Sequence, residues 1–494
     1  MSERSKDTVE ISREEYQAIQ QENAYLKEEL AQLKRLIFGK KNERFIPADA
    51  AQSSLFEEPA IEQATPTETQ TITYTKEKKA DKKQPVRLVL PAHLPREEEV
   101  IEPENKQEGA RKIGEAVTEI LEYTPGKVYV KRYVRPKYLQ VIKQGEANGE
   151  QIVVAELPSL PIPSGNAGPG LLAHLMISKY VDHLPFYRQV QIFKREGIKL
   201  SESTISGWFK AICKLLEPLY EEIRKQILAS GYINADETPI PVQSSNKPGA
   251  THTGYQWYYY APKTKLVVVD YQKSRSGQGP HDFLEGYQGV LQTDGYAGYE
   301  QFASKPDIIL LACMAHARRY FEKALDNDKP RAEHALTEIQ KLYVIERKAK
   351  DEQMDTDQIQ ILRHSESRPI LDKLHQWMQE EYGKVAPKSS IGKALAYSLK
   401  FWKRLSKYTE NGRWYIDNNR VENSIRPVAL GRKNYLFAGS HDAAQWAAIM
   451  YTFLGTCKLN EVEPYQWLNH TLTIISETKT SQLYKLLPNH SDKS

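Results

Sequence analysis

Near the start of the chain, apolar positions recur every seven residues. Tyr16, Asn23, Leu30 and Ile37 share one seam position, and Ile19, Leu26 and Leu33 share the other, the spacing of supercoiled helices. Glu22 and Glu29 then face Lys27 and Lys34 across a parallel pair, and Asn23 in the seam suits a two-stranded, in-register dimer. Residues 1–45 are expected to be a dimerising coiled coil with Ile19, Asn23, Leu26, Leu30 and Leu33 in its seam. A single amphipathic helix packed on the body would read the same way. Periodicity then stops. Residues 46–97 are rich in Ala, Gln, Thr, Glu, Lys and Pro and poor in large apolar residues, so a disordered linker is expected. Alternation returns in 98–157, at Val128-Tyr-Val, Tyr133-Val and Gln151-Ile-Val-Val-Ala, predicting a small β-rich module.

Past a Pro/Gly boundary loop from Pro158 to Gly170, residues 171–228 follow a helical period, and 158–228 is expected to be a helical DNA-binding domain. One helix is predicted over Phe186 to Arg195, a break at Glu196-Gly197, and a second helix over Glu202 to Ile212 capped by Ser201. This is a helix-turn-helix pattern. Ser203, Thr204, Ser206 and Lys210 would offer polar tips to DNA, while Ile205, Trp208 and Phe209 pack inward. An ordinary αα-hairpin has the same pattern. Residues 229–320 switch to strands: Tyr232 to Asp236 leading into Ile240-Pro-Val, then Tyr255–Tyr260, Lys265–Tyr271, Gly289–Asp294 and Ile308–Cys313, with a helix over His281–Tyr287. That order predicts a mixed sheet covered by helices, with Asp236 ending the first strand and Asp294 ending the fourth. Residues 321–415 are helical throughout and read as an insertion. Residues 416–494 complete the core and return to helices.

The chain's 494 residues are enough for two or more domains. The net charge of +4 does not by itself announce a nucleic-acid partner. Its distribution does more: from Lys400 to Lys433 nine basic residues face three acidic ones, a field that favours a phosphate backbone. Cys213, Cys313 and Cys457 are the only cysteines. They form no disulfide framework, so a reducing cytoplasm is the expected compartment. The first residues lack the apolar core of a signal peptide, and the apolar run Ile308–Ala315 is too short to span a bilayer; no membrane partner is expected.

The candidate chemistry lies in three acidic residues: Asp236, Asp294 and Glu422. Singly, each has a plain structural reading, since Asp294-Gly is a turn signal and Asp417-Asn418 can cap a helix. Together they form a carboxylate set that suits hard cations such as Mg²⁺ or Mn²⁺. Two such ions favour phosphoryl transfer on nucleic acid. Arg426 follows Glu422 by four residues, on the same helix face. With Arg432 and Lys433 it is placed to hold a phosphate.

The motifs Gly165-Asn-Ala-Gly-Pro-Gly-Leu-Leu-Ala-His, Ser178-Lys-Tyr-Val-Asp-His-Leu-Pro-Phe-Tyr-Arg-Gln, Ala235-Asp-Glu-Thr-Pro, Gln292-Thr-Asp-Gly-Tyr, Ala315-His-Ala-Arg-Arg, Asp417-Asn-Asn through Arg426-Pro, and Gly431-Arg-Lys-Asn-Tyr-Leu-Phe-Ala-Gly-Ser resemble those of the insertion-sequence-66 transposase family. The resemblance covers nearly the whole chain. It implies an α/β multidomain protein with a ribonuclease-H-like core and an Asp-Asp-Glu triad on Asp236, Asp294 and Glu422. It also implies a bacterial, cytoplasmic, nucleoid-associated enzyme that works on element ends and target DNA as a dimer or higher oligomer, with possible small accessory proteins. His316 and Asn419 are expected beside the carboxylates. The family's usual small zinc module has two Cys-x-x-Cys pairs, whereas no cysteine precedes position 213 here and Leu139 and Ile142 occupy two of the ligand positions; no zinc is expected. Asn423 stands where the family often has Arg. Two other outcomes fit the same residues: an inactive DNA-binding descendant, and a nuclease of the same fold without strand transfer.

Overall fold

The computed structural model describes residues 126–490, apart from 127, 132–133, 135–136, 145–146, 155–158, 164, 166 and 245–248. The expected coiled-coil seam at Ile19, Asn23, Leu26, Leu30 and Leu33, and the linker, lie outside the described residues. The chain divides into two units, residues 42–157 and the remainder. In the first, β1 (Lys137–Gln144) and β2 (Ala147–Val154) form an antiparallel hairpin in which Gln144 faces Ala147.

The second unit is organised by a five-stranded mixed sheet with strand order β5-β4-β3-β6-β7. The strands are β3 (Tyr232–Gln243), β4 (Thr251–Ala261), β5 (Leu266–Gln272), β6 (Gly289–Thr293) and β7 (Ile308–Ala312). β3, β4 and β5 run as an antiparallel meander, and β6 and β7 add parallel on the other side of β3. Leu266 to Val269 and Trp257 to Tyr260 are buried without alternation, the mark of strands covered on both faces. Tyr259, for example, stacks on Phe283 of α4 (Gln278–Phe283) at 3.7 Å. Gly289 has φ 139°, and a Cβ there would run into the Gly231 carbonyl. Glycine is what lets β6 start this close to β3.

β5 would otherwise expose an edge with free backbone groups. Helix α12 (His441–Asn460) and helix α3 (Glu202–Leu228) cover it. Thr452 Oγ1 accepts from Val269 N–H at 2.9 Å, Thr456 Oγ1 accepts from Val267 N–H at 3.4 Å, and the Tyr220 hydroxyl donates to Val269 O at 3.1 Å. All three side chains are buried. α3 follows α1 (Pro169–Tyr180) and α2 (Phe186–Arg195). It does not stop at Ile212 as the turn-bounded pattern suggested. Leu216, Leu219, Tyr220, Ile223 and Ile227 keep one face apolar, and burial against the sheet carries the helix to Leu228. One buried cluster therefore joins Leu172, Ile205 and Phe209 to Val267 and Val268. The helices of 158–228 share the sheet's core.

The helical stretch after β7 has a core of its own, including Phe321, Leu342, Leu374, Leu395 and Leu405. It comprises α5 (Met314–Ala324), α6 (Lys329–Asp351), α7 (Thr356–Leu362), a π turn at Arg363–Ser367, α8 (Arg368–Tyr382), α9 (Ser390–Lys400) and α10 (Trp402–Ser406). Arg363 is buried in that turn, where it pairs with Glu346 at 2.6 Å and donates to the carbonyls of Tyr408 and Asn411. Four of its five N–H donors have partners, as a desolvated charge requires. The chain then returns to the sheet through 411–418 and enters α11 (Asn419–Tyr435), with α12 and α13 (Pro464–Ile474) closing the unit. No described helix is long and apolar enough to cross a membrane.

Candidate active site

Register sets the first two acidic residues side by side. β3 and β6 pair Tyr232 with Val290, Ile233 with Leu291 and Asn234 with Gln292. Two residues further along each strand, the same offset matches Asp236 to Asp294. Asp236 does not end its strand as expected. β6 stops at Thr293, whereas β3 continues to Gln243 because β4 pairs with it throughout. Asp236 thus marks where one partner ends, at an open step in the sheet. Asp294 begins the turn after β6, and its Oδ1 accepts from Tyr296 N–H at 2.8 Å. Gly295 follows with φ 89°, a conformation that suits glycine.

The third residue comes from α11. The segment before it is tied down on several sides. Gln292 Nε2 donates to Tyr415 O at 2.8 Å, and Tyr415 N–H donates to the Tyr232 hydroxyl at 2.9 Å. Met314 N–H donates to Ile416 O at 3.1 Å. Asn418 is fully buried; its Nδ2 donates to Ala235 O at 2.8 Å, and its N–H points at Cys313 Sγ at 3.2 Å. Asn418 therefore does not cap α11 with its side chain; it fastens the helix start beside Asp236. Glu422 lies in the first turn of that helix. Arg319 Nη2 donates to both of its carboxylate oxygens, at 3.1 and 2.8 Å. His316 Nδ1 is 3.7 Å from Oε1.

Burial pushes the Asp236 carboxyl well above the usual range, and the negative charges of Asp294, Glu237 and Glu422 push it further. Glu237 is 2% exposed and pairs with Arg275 at 2.5 Å. Burial, then Asp294, still raises it to about 7 against the pull of Arg275. Burial lowers His316, with Glu422 opposing. Around Arg319, burial works against the charge, but Glu422 prevails and holds it protonated more firmly than usual. The region is a half-buried concentration of like charge with too few cations at Asp236 to balance it.

The oxygen atoms of Asp236, Asp294 and Glu422 do not form a tight triplet. Among the described residues, the group whose ligand atoms all lie within 4.8 Å of one another is Cys313, His316 and Glu422. Cys313 and His316 stand three residues apart at the start of α5, and Glu422 reaches them from α11. The Cys313 thiol is buried, its pKa raised by that burial and by Asp417.

The remaining expected residues are dispersed. Ser203, Thr204 and Lys210 are exposed on the first turns of α3, with Ile205, Trp208 and Phe209 buried behind them. Ser201 caps that helix through Thr204 N–H at 3.0 Å, and its hydroxyl also lies 2.8 Å from those of Ser203 and Thr204. Arg426 and Lys433 are exposed on α11. Arg432 instead donates to Thr238 Oγ1 at 2.9 Å and Pro239 O at 2.6 Å, tying α11 to β3. Asn419 is exposed and its Nδ2 donates to Asp417 Oδ2 at 2.7 Å. Sequence reasoning passed over Arg319, Glu237 and Asn418. All three stood inside motifs already singled out, next to residues chosen for their charge or chemistry.

A family model described as Transposase IS66 family matches residues 164–446, which contain all three carboxylates. The chain belongs to this family. Two further models match, Transposase C of IS166 homeodomain over residues 25–98 and IS66 C-terminal element over residues 452–489. The chain is similar to two proteins of Sinorhizobium fredii (strain NBRC 101917 / NGR234). One, Uncharacterized protein y4hP, is 33% identical over 436 residues, covering 82% of this chain and 77% of that protein. The other, Uncharacterized protein y4jD, is 30% identical over 493 residues, covering 94% of each. Membership in the IS66 family makes this a transposase-type enzyme with DNA as its partner.

Proposed function

We propose that the chain is a DNA transposase that cleaves at the ends of its element and joins the 3′-hydroxyl ends to target DNA, with Asp236, Asp294 and Glu422 as its catalytic carboxylates. The observation that carries this reading is the parallel register that sets Asp236 beside Asp294, with Asn418 fastening the Glu422 helix to Ala235. The strand order, an antiparallel meander followed by two parallel strands, supports a ribonuclease-H-like core into which 321–415 is inserted.

The carboxylates fit two divalent ions, Mg²⁺ or Mn²⁺. The donors are oxygens, and a hard cation would relieve the repulsion that raises Asp236. Bound there, such ions supply Lewis acidity to a phosphodiester and acidify a water. The protein's own groups do the rest. Asp236 and Asp294 offer fixed acceptors on a rigid sheet. Arg319 orients Glu422, with His316 beside it. Arg426 and Lys433 draw the phosphate backbone along α11, while Ser203, Thr204 and Lys210 present a helix start to DNA. Residues 1–45 would pair two copies as a coiled coil, 46–97 would link it to the small module of 98–157, and the enzyme would work in the bacterial cytoplasm at the nucleoid.

Incubating the protein with Mg²⁺, a supercoiled plasmid and duplexes carrying the inverted repeats that border its gene tests this reading. Joined product is expected. Nicks without joining would identify a nuclease; binding without cuts would identify an inactive descendant.

A further inference from the structure

Helix α11 carries one exposed stripe, Asn419, Asn423, Arg426, Leu430 and Lys433, spaced at alternating four and three residues and containing no acidic side chain. It starts beside Glu422 and ends in a tight turn with an apolar tip. Leu436 is 65% exposed and Phe437 is 41% exposed. Leu436 has φ 62° and ψ −48°, and Phe437 N–H donates to Tyr435 O at 2.7 Å. That is a γ-turn of the rare, strained hand, here on a bulky residue for which positive φ is costly. The turn is mounted rigidly. Leu436 N–H donates to Arg432 O at 3.0 Å, Ala438 N–H donates to Pro241 O at 2.9 Å, and Gln243 N–H donates to Ala438 O at 2.8 Å. Arg432 is itself bonded to β3 at Thr238 and Pro239. Two large apolar side chains are thus held out into solvent by a strained loop bolted to the sheet's central strand. No acidic residue stands between Lys433 and the tip, and Asp442 is the next one along the chain.

We propose that the Leu436–Phe437 tip is a wedge that inserts against a base step of the DNA duplex lying along this stripe, unstacking it. The proposal rests on the reading of Glu422 as a catalytic carboxylate, which fixes where the scissile phosphate sits. Apolar wedges of Leu and Phe backed by cationic groups are a known means of unstacking duplexes. A protein partner would be served less well by a stripe whose charges are cationic and whose polar groups are amides. Leu436 follows Glu422 by fourteen residues, about 21 Å of helix. At roughly 3.4 Å per base pair along a strand, the wedge meets DNA no more than about six base pairs from the cut.

The test uses the full chain, duplexes of the bordering inverted repeats with 2-aminopurine placed in turn at each of the six positions on either side of the cut, and Ca²⁺ to hold the uncut complex; cleavage is assayed in parallel with Mg²⁺. One or two adjacent probes in this series should brighten at least about threefold on binding. Phe437→Ala and Leu436→Gly should abolish the brightening while weakening binding less than about tenfold. Leu436→Gly relieves the strained φ, so its melting temperature should not fall, which separates loss of the wedge from loss of fold. Cleavage without any bright position overturns the wedge and leaves the transposase reading standing. Brightening that survives Phe437→Ala overturns it too, as does a change in sedimentation with unchanged brightening, which would make the tip a contact between copies. Brightening without cleavage upholds the wedge and removes the catalytic reading. Absence of any binding removes both.

Discussion

The sheet and helix α11 deliver their carboxylates by different physical means. Asp236 and Asp294 stand where backbone register puts them. The register of β3 is fixed by ten paired positions with β4 and three with β6, and one side chain changes little in so redundant a ladder. Glu422 reaches the same place after a long helical detour, and its position depends on a few side chains: Asn418 to Ala235, Gln292 to Tyr415, and Arg319 to the carboxylate itself. The pair is therefore rigid and the third member adjustable. Assembly of the set is a matter of long-range packing, and the two parts should respond differently to substitution.

The largest effect expected is one that ignores this difference. Asp236→Asn, Asp294→Asn and Glu422→Gln keep the shape of each side chain and remove the ionised oxygen that would hold a cation. Each should lower cleavage of labelled end DNA by at least about a thousandfold, the equivalent of roughly 4 kcal/mol of transition-state stabilisation, with melting temperature and gel-shift binding retained. A variant that still cuts within tenfold of the parent would take its residue out of the set.

Next come substitutions that separate the two routes. Asn418→Ala removes the hydrogen bond to Ala235 O and leaves that buried carbonyl unpaired, which costs about 1–3 kcal/mol of stability. It also frees the start of α11, and a displacement of about 1 Å at a catalytic group can cost a hundredfold in rate. Thr452→Val removes a comparable buried bond, the one that Val269 N–H donates to Thr452 Oγ1 at 2.9 Å, from the sheet's outer strand. It should lower stability to a similar degree and cleavage by less than about tenfold. Thermal melts and cleavage rates on both variants check this. Equal losses of rate would mean that the sheet is no more robust than the helix.

How much was legible in the sequence follows the same division. Strand content and the inward Ile205, Trp208 and Phe209 could be read because each depends on local alternation or helical period. The length of α3 could not, because it is set by burial against β5 and α12, elements far away in the chain. That Asp236 sits within its strand could not be read either, since a strand's end is decided by its partners and not by its own residues. The arrival of Glu422 beside Asp236 came through the family resemblance. Spacing alone does not encode the Asn418 staple, which is one polar residue in a run of three. Arg319 was hidden for a related reason: an arginine on a helix reads as solvated until the fold shows its carboxylate.

The smallest effect expected separates site electrostatics from sheet electrostatics. Asp270 lies on β5, away from the candidate set, with Gln272 Nε2 donating to its Oδ2 at 2.7 Å. Burial raises its pKa to about 6, with Gln272 and Arg224 opposing. The folded protein therefore keeps a proton that the unfolded chain releases near pH 4. Between about pH 4 and 6 the native state binds more protons, so stability falls as pH rises and levels off above 6. The full shift corresponds to at most about 3 kcal/mol, and water reaching the half-buried carboxylate makes it smaller. Asp236 is raised as well and contributes a slope of the same sign, but a divalent cation would favour its ionised form. Melts of the parent and of Asp270→Asn, from pH 4 to 7.5 with Mg²⁺ or with EDTA, resolve the two. Asp270→Asn should flatten the slope equally in both buffers. Of what remains, the Asp236 part should disappear only with Mg²⁺, while Glu237, raised to about 7 and paired with Arg275, keeps a slope of the same sign in both buffers. A remainder identical with and without Mg²⁺ would mean that the convergence of charge seen at Asp236 is structural, with no cation to answer it.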